Sequence, residues 1–188
     1  MGQKRRLIVG VSGSSAPQLA RALLLELSRH DDLETHLILT KGARMCVRLE
    51  MGIEPRDFGE LADVVHAPGD LGASISSGSF QTMGMVIVPC SMKTLAAVAH
   101  GLSSDLVARA ADVCLKERRR LVLVTRETPL NLIHLRNMET ATLAGATILP
   151  PVPAFYHQPN TIEDLLNHTA GKILDQFGIE HDLYRRWS

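Results

Sequence analysis

Short, near-continuous apolar runs alternate with longer amphipathic ones along this chain, and that alternation limits its fold more than any other feature. Leu7-Ile-Val-Gly-Val11, His36-Leu-Ile-Leu39, Met85-Val-Ile-Val88, Leu121-Val-Leu-Val124 and Ala146-Thr-Ile-Leu149 have the length and composition of strands covered on both faces. Asp63-Val-Val-His66 is a weaker sixth candidate. Helical periodicity occupies Pro17 to His30, Gly42 to Met51, Ser91 to Ala99, Ser104 to Arg119, Asn131 to Ala144 and Thr161 to Phe177. Pro17 suits a first helical position, and Thr161 with Asp164 has the spacing of a capping pair. Strands alternating with helices predict an α/β fold, a doubly wound parallel sheet of flavodoxin or Rossmann type with right-handed crossovers. At 188 residues, 45% hydrophobic and 21% charged, the chain fits one domain over 1–188 with a substantial core.

In that architecture ligands sit beyond the carboxyl ends of the strands. The first strand runs into Ser12-Gly-Ser-Ser-Ala16, the second into Thr40-Lys41, the fourth into Cys90-Ser-Met-Lys-Thr94 and the fifth into Arg126-Glu127. Hydroxyls and backbone N–H groups where a strand ends and a helix opens make an anion site, which a nearby Arg or Lys can complete. A further hydroxyl-rich loop, Ser76 to Ser79, and a helix carrying Arg109 and Lys116 extend the same chemistry. The first turn has neither GxGxxG nor GxxxxGK[ST], which counts against NAD and nucleoside triphosphates and leaves a mononucleotide phosphate such as that of FMN. Alone, Ser12 to Ser15 would be explained as a tight turn and helix cap; the other hydroxyl loops weigh against that.

Twenty basic residues balance twenty acidic ones, so no overall field points to nucleic acid or an anionic membrane surface. Arg118 to Arg120 read as a solvated helix end. Cys46, Cys90 and Cys114 have neither the pairing nor the spacing of a disulfide framework or zinc site, and His134 and His157 read as structural or hydrogen-bonding residues, so no metal is assigned. Cys90 lies between a strand and a helix, but no His is placed to activate it, and it reads as a small buried residue; Cys46 and Cys114 read as helix packing. The first strand is too short for a signal segment or a membrane span, and the expected location is cytoplasmic.

Several segments carry a family resemblance: Gly10-Val-Ser-Gly-Ser-Ser15, Ser77-Gly-Ser79, Pro89-Cys-Ser-Met-Lys-Thr-Leu95, Arg109-Ala-Ala-Asp-Val-Cys-Leu-Lys-Glu-Arg-Arg119, Leu121-Val-Leu-Val-Thr-Arg-Glu-Thr-Pro129, His134-Leu-Arg-Asn-Met138, Pro153-Ala-Phe-Tyr156 and Arg185-Arg-Trp187. Collinear over essentially the whole chain, they resemble the UbiX-type flavin prenyltransferases. The resemblance implies a transferase that joins a dimethylallyl group from dimethylallyl monophosphate to N5 and C6 of reduced FMN. The prenylated FMN then serves a UbiD-type decarboxylase. It also implies a homododecamer built from trimers, with active sites at subunit interfaces.

Position by position, it implies FMN contacts at Gly13, Ser14, Ser15, Thr40, Ser91, Met92, Lys93, Thr94 and Arg126. Tyr156 and Lys172 match positions that hold the dimethylallyl phosphate, with Arg109, Lys116 and Arg126 contributing to the same anion pocket. Glu50 and Glu127 match acidic positions for proton transfer, Ser15 is placed to relay a proton to the leaving oxygen, and Lys116 is placed to stabilise the departing charge. Two positions depart from the pattern. Thr40 stands where Ser is common, and Leu71 stands where many members carry an aromatic, often Trp, near the prenyl group. Losing that aromatic removes cation–π stabilisation worth about 0.5–2 kcal/mol and bears on rate and prenyl-chain preference.

The chain has no Asp-rich motif of the kind that holds magnesium for transfer from a diphosphate, so a metal-independent route from a monophosphate fits it. Duller explanations exist for each residue: Glu50 as a solvated helix position, Glu127 as a partner of Arg126, Lys172 as a surface charge, Tyr156 as packing in the loop from Pro150 to His157. Two alternatives stand beside the transferase. One is an FMN-dependent decarboxylase of the cysteine-decarboxylase group, which needs a His base absent from the first two ligand loops. The other is a non-enzymatic subunit that stores or delivers FMN, which would not need a second phosphate site.

Overall fold

The computed structural model describes residues 4–187. Their strands form one all-parallel sheet from β1 (Arg5–Val11), β2 (Leu33–Leu39), β3 (Val64–His66), β4 (Gly84–Cys90), β5 (Arg120–Thr125) and β6 (Ala146–Ile148), in the order β3-β2-β1-β4-β5-β6. Parallel pairing sets Leu7 between Thr35 of β2 and Gly84 of β4. The weak sixth candidate does form a strand: β3 is short, half-exposed and on the sheet edge, which is why its apolar signal is faint. Alternation alone is compatible with both common doubly wound orders; the order found is the Rossmann one, whose direction reverses between β1 and β4.

The helices are α1 (Gln18–Leu27), α2 (Lys41–Cys46), α3 (Pro55–Gly59), α4 (Met92–Ala99), α5 (Leu106–Lys116), α6 (Leu132–Leu143) and α7 (Ile162–Phe177). Successive strand residues point to opposite faces, so each buried run feeds two cores. On one face Leu7, Val9 and Val11 pack with Leu23 and Leu27 of α1 and with Ile173 and Leu174 of α7. On the other, Ile8, Met85 and Ile87 pack with Val107, Ala110 and Cys114 of α5 and with Leu95 of α4. Gly84 opens β4 at φ 137°, and a Cβ there would lie 2.2 Å from the Arg120 carbonyl oxygen, so the close β4–β5 approach requires glycine.

Thr161 and Asp164 form the capping box expected at α7: Asp164 N–H donates to Thr161 Oγ1 (3.1 Å) and Thr161 N–H donates to Asp164 Oδ2 (2.9 Å). Pro17 sits in helical conformation at the cap position just before α1. The periodic stretch Gly42 to Met51 is not one helix. After α2 the chain makes a π-helical turn, Val47–Met51, and stops at Gly52 in the left-handed region (φ 66°). α3 has no counterpart among the expected helices because five residues are too few for a periodic signal. Among the described residues no helix is long and apolar enough to cross a membrane.

Candidate functional site

Between β1 and β4, where the sheet order reverses, the loops beyond the strand ends form a cleft of about 560 Å³ lined by Gly13, Thr40, Lys41, Gly42, Ser91, Met92, Lys93, Thr94, Asp105 and Glu127. Three helix caps face it. Thr40 Oγ1 accepts from Ala43 N–H at the start of α2 (3.1 Å), Ser91 Oγ from Thr94 N–H at α4 (3.3 Å) and Asp105 Oδ1 from Ala108 N–H at α5 (2.9 Å). Helix amino ends carry partial positive charge and unpaired N–H groups, so the cleft favours an anion.

Ser12, 1% exposed, ties the first and third loops together: its hydroxyl donates to Pro89 O (3.0 Å) and accepts from Ser91 N–H (2.7 Å). Gly13 ties in the second loop by having no side chain, since a Cβ there would lie 2.9 Å from Gly42 Cα. A cradle of backbone, hydroxyls and Lys93, without a Gly-rich dinucleotide turn, fits one phosphate and the ribityl chain of a mononucleotide.

Ser14 Oγ donates to Arg126 O (2.8 Å), and Arg126 N–H donates to Cys90 O (3.1 Å), which holds the Arg126-Glu127 corner against the first loop. Ser15 Oγ and Ala16 N–H both donate to Glu50 Oε2, at 3.0 and 2.9 Å. Ala16 has φ 72°, a left-handed conformation costing about 1–2 kcal/mol for a residue with a Cβ, and the Glu50 carboxylate helps to hold it. The π-helical turn is what carries Glu50 to this loop. Cys90 is fully buried and its thiol pKa is pushed up to about 12 by that burial, so it is a packing residue and not a nucleophile.

The remaining candidates divide between the two faces of the sheet. On the α5 side, Arg109 Nε donates to Ser76 O (3.1 Å) and Arg109 Nη1 pairs with Asp112 (2.7 Å); Lys116 pairs with Glu117 beside Gly78. Eleven residues of α5, about 16 Å of helix, separate Lys116 from the cap that lines the cleft. Within this chain Arg109 thus contacts the Ser76–Ser79 loop, and Lys116 lies beside it.

On the α7 side, Tyr156 Oη lies 3.0 Å from His168 Nε2, and Lys172, one turn further on, reaches Asp175 (3.6 Å). Asp175 also accepts from Tyr184 (2.7 Å), Arg186 (2.7 Å) and His181 (3.2 Å). Burial alone would raise its carboxyl pKa, but the bonds from Arg186, Tyr184 and His181 outweigh it and hold the group well below the usual carboxylate range. Burial and Asp175 push the Tyr184 phenol up to about 12. This network folds the end of the chain onto α7 and sets Trp187 edge-on to Tyr156 at 5.9 Å.

Nothing in the sequence pattern singled out His168, a histidine inside an amphipathic helix with no motif around it. His134 is structural as expected, forming a capping box with Asn131 at α6. His157 stacks on His168, but its ring nitrogens have no hydrogen-bond partner among the described residues.

A Rossmann-ordered sheet with a phosphate cradle at its reversal point, and no dinucleotide fingerprint, defines an α/β protein that binds a mononucleotide. A sequence profile of the Flavoprotein family matches residues 1–174. The flavin prenyltransferase UbiX of Escherichia coli strain K12 is 52% identical over 185 residues, which cover 97% of this chain and 98% of the relative. A crystal structure of AnUbiX in complex with FMN and dimethylallyl pyrophosphate superposes with a TM-score of 0.96 at 49% identity, covering 98% of each chain. A dodecameric FMN-dependent UbiX-like decarboxylase from Escherichia coli O157:H7 superposes at 0.95 with 49% identity, covering 97% of this chain and 99% of that one. The chain belongs to the Flavoprotein family, within its UbiX-type flavin prenyltransferases.

Proposed function

We infer that the protein joins the dimethylallyl group of dimethylallyl monophosphate to N5 and C6 of reduced FMN, giving prenylated FMN for a UbiD-type decarboxylase. The observation that carries this reading is the match at 52% identity, over 97% of the chain, to a relative named a flavin prenyltransferase. When bound, reduced FMN supplies an electron-rich N5 and the neighbouring C6 as the two bonding positions. Gly13, Ser14, Ser15, Thr40, Ser91, Met92, Lys93, Thr94 and Arg126 hold it, with its phosphate against the start of α4.

Bond formation at N5 breaks the allylic C–O bond, and the electron pair leaves with the phosphate. Tyr156, Lys172 and Arg126, with Arg109 and Lys116, stabilise that charge; preorganised donors and cations of this kind usually contribute more to catalysis than any other effect. Ser15 passes a proton to the leaving oxygen, with Glu127 supporting phosphate protonation. Glu50 accepts the proton displaced from C6 when the second bond closes the ring.

The helices that carry Arg109 and Lys116 on one hand and Lys172 on the other cover opposite sheet faces. We therefore place Arg109 and Lys116 against the cleft of a neighbouring copy. A relative that crystallised as a dodecamer supports a homododecamer with sites between subunits. The proposal includes a single domain over 1–188, a cytoplasmic location, no metal, no nucleic acid and no membrane partner. The cysteine-decarboxylase alternative needs a His base, and among the described residues no histidine lines the cleft.

Anaerobic incubation of the protein with reduced FMN and dimethylallyl monophosphate, followed by addition of a cofactor-free UbiD-type decarboxylase, tests the reading. Decarboxylation should appear only when protein, flavin and donor are all present. A decarboxylase that stays inactive, or that FMN alone activates, contradicts it.

A further inference from the structure

We propose that His168 is a positioning residue that keeps the Tyr156 phenol turned to donate its hydrogen to the donor's phosphate. The inference rests on the reading above that Tyr156 and Lys172 receive that phosphate. It starts from a contact across a Pro-rich loop, the Tyr156 Oη to His168 Nε2 distance of 3.0 Å. His168 is 7% exposed, whereas Tyr156 is 44% exposed. A half-exposed tyrosine thus meets a buried partner through its hydroxyl, and Lys172, four residues after His168, lies on the same side of α7.

The imidazole has little freedom to turn away. It stacks on His157 with ring centroids 4.8 Å apart and planes 7° apart, and the Tyr184 ring packs against it with centroids 4.7 Å apart. The charged and titratable groups around it are Tyr156, His157, Lys172, Asp175 and Tyr184; burial first, then His157 and Lys172, lower its pKa against the opposing pull of Asp175.

A phenol has one hydrogen and two lone pairs, and a neutral imidazole has one N–H and one bare nitrogen. If Nε2 is bare, it takes the phenol hydrogen, and the oxygen turns its lone pairs toward the anion. If Nε2 carries hydrogen, it donates to Oη, and the phenol hydrogen is left for a phosphate oxygen. A phosphate beside Lys172 favours the second state, and so does the imidazolium, which also carries hydrogen on Nε2. His168 thus converts Tyr156 from an ambivalent hydroxyl into a dedicated donor without touching the substrate itself.

Two replacements separate this role from packing. His168→Gln puts an amide N–H near the place of Nε2 but loses the ring stack, whereas His168→Phe keeps a ring and loses the N–H. In steady-state assays with saturating reduced FMN, His168→Phe should raise the KM for dimethylallyl monophosphate about tenfold, the equivalent of about 1.4 kcal/mol. Its FMN affinity, read by flavin fluorescence quenching, should match wild type and shows that it is folded.

His168→Gln should stay within about threefold of the wild-type KM, since it keeps the donor. In a Tyr156→Phe background His168→Phe should add nothing, because the group it acts through is gone. A His168→Gln variant as impaired as His168→Phe, or more so, means packing alone and overturns the proposal. So does a raised KM in Tyr156→Phe with His168→Phe silent, which leaves the parent reading standing. An unchanged donor KM in Tyr156→Phe removes the parent reading together with this one.

Discussion

Glu50→Gln should bind FMN with wild-type affinity and lose prenyl transfer by roughly 10²- to 10⁴-fold, the range typical of a removed general acid or base. Both hydrogen bonds to the Glu50 side chain, from Ser15 Oγ and Ala16 N–H, end on the same carboxylate oxygen, Oε2. A glutamine carbonyl oxygen in that place accepts both, so the strained Ala16 corner and the cradle beside it survive the change. What disappears is the negative charge and the capacity to take a proton. The split between intact binding, measured by fluorescence titration, and lost turnover, measured by flavin product formation, separates chemistry from architecture. Full turnover in Glu50→Gln would remove Glu50 as the base; lost FMN binding would make its role the shape of the loop.

Gly13→Val should abolish measurable FMN binding and lower stability by about 1–3 kcal/mol, the usual cost of forcing extra carbon into a packed contact. A Cβ at this position would meet Gly42 Cα at 2.9 Å and Gly42 C at 3.2 Å, both backbone atoms with no rotamer to yield. Relief requires the first and second ligand loops to part, and that parting moves the Thr40 cap and the Ser12 bridge to Ser91 together. Thermal melting and FMN titration read the two consequences. Wild-type values for both would mean that the loops are not in the contact described.

The strands and the ligand loops were legible because both-face burial leaves long apolar runs and because hydroxyl residues recur at several strand ends, where they cap the helices that follow. Ser12, Thr40 and Ser91 to Thr94 fall around one cleft as that reasoning requires. The strand order was not legible, since both doubly wound orders share one alternation. Nor was the π-helical turn that presents Glu50, because one extra residue per turn barely alters a short hydrophobic period.

The resemblance implied one anion pocket from Arg109, Lys116, Arg126, Tyr156 and Lys172, but no sequence pattern says which face of a sheet a helix will cover. The structure packs α5 and α7 on opposite sides of the sheet. The Tyr156–His168 contact was hidden for a related reason: the loop from Pro150 to Asn160 sets the separation, and its geometry has no periodic signature.

Flavin prenylation itself is best tested by mass spectrometry of the flavin extracted after anaerobic incubation of the purified protein with reduced FMN and dimethylallyl monophosphate, without added metal. The expected product is FMN carrying one added prenyl unit, formed only when the protein is present. Unmodified flavin from protein shown to bind FMN would contradict the transferase reading.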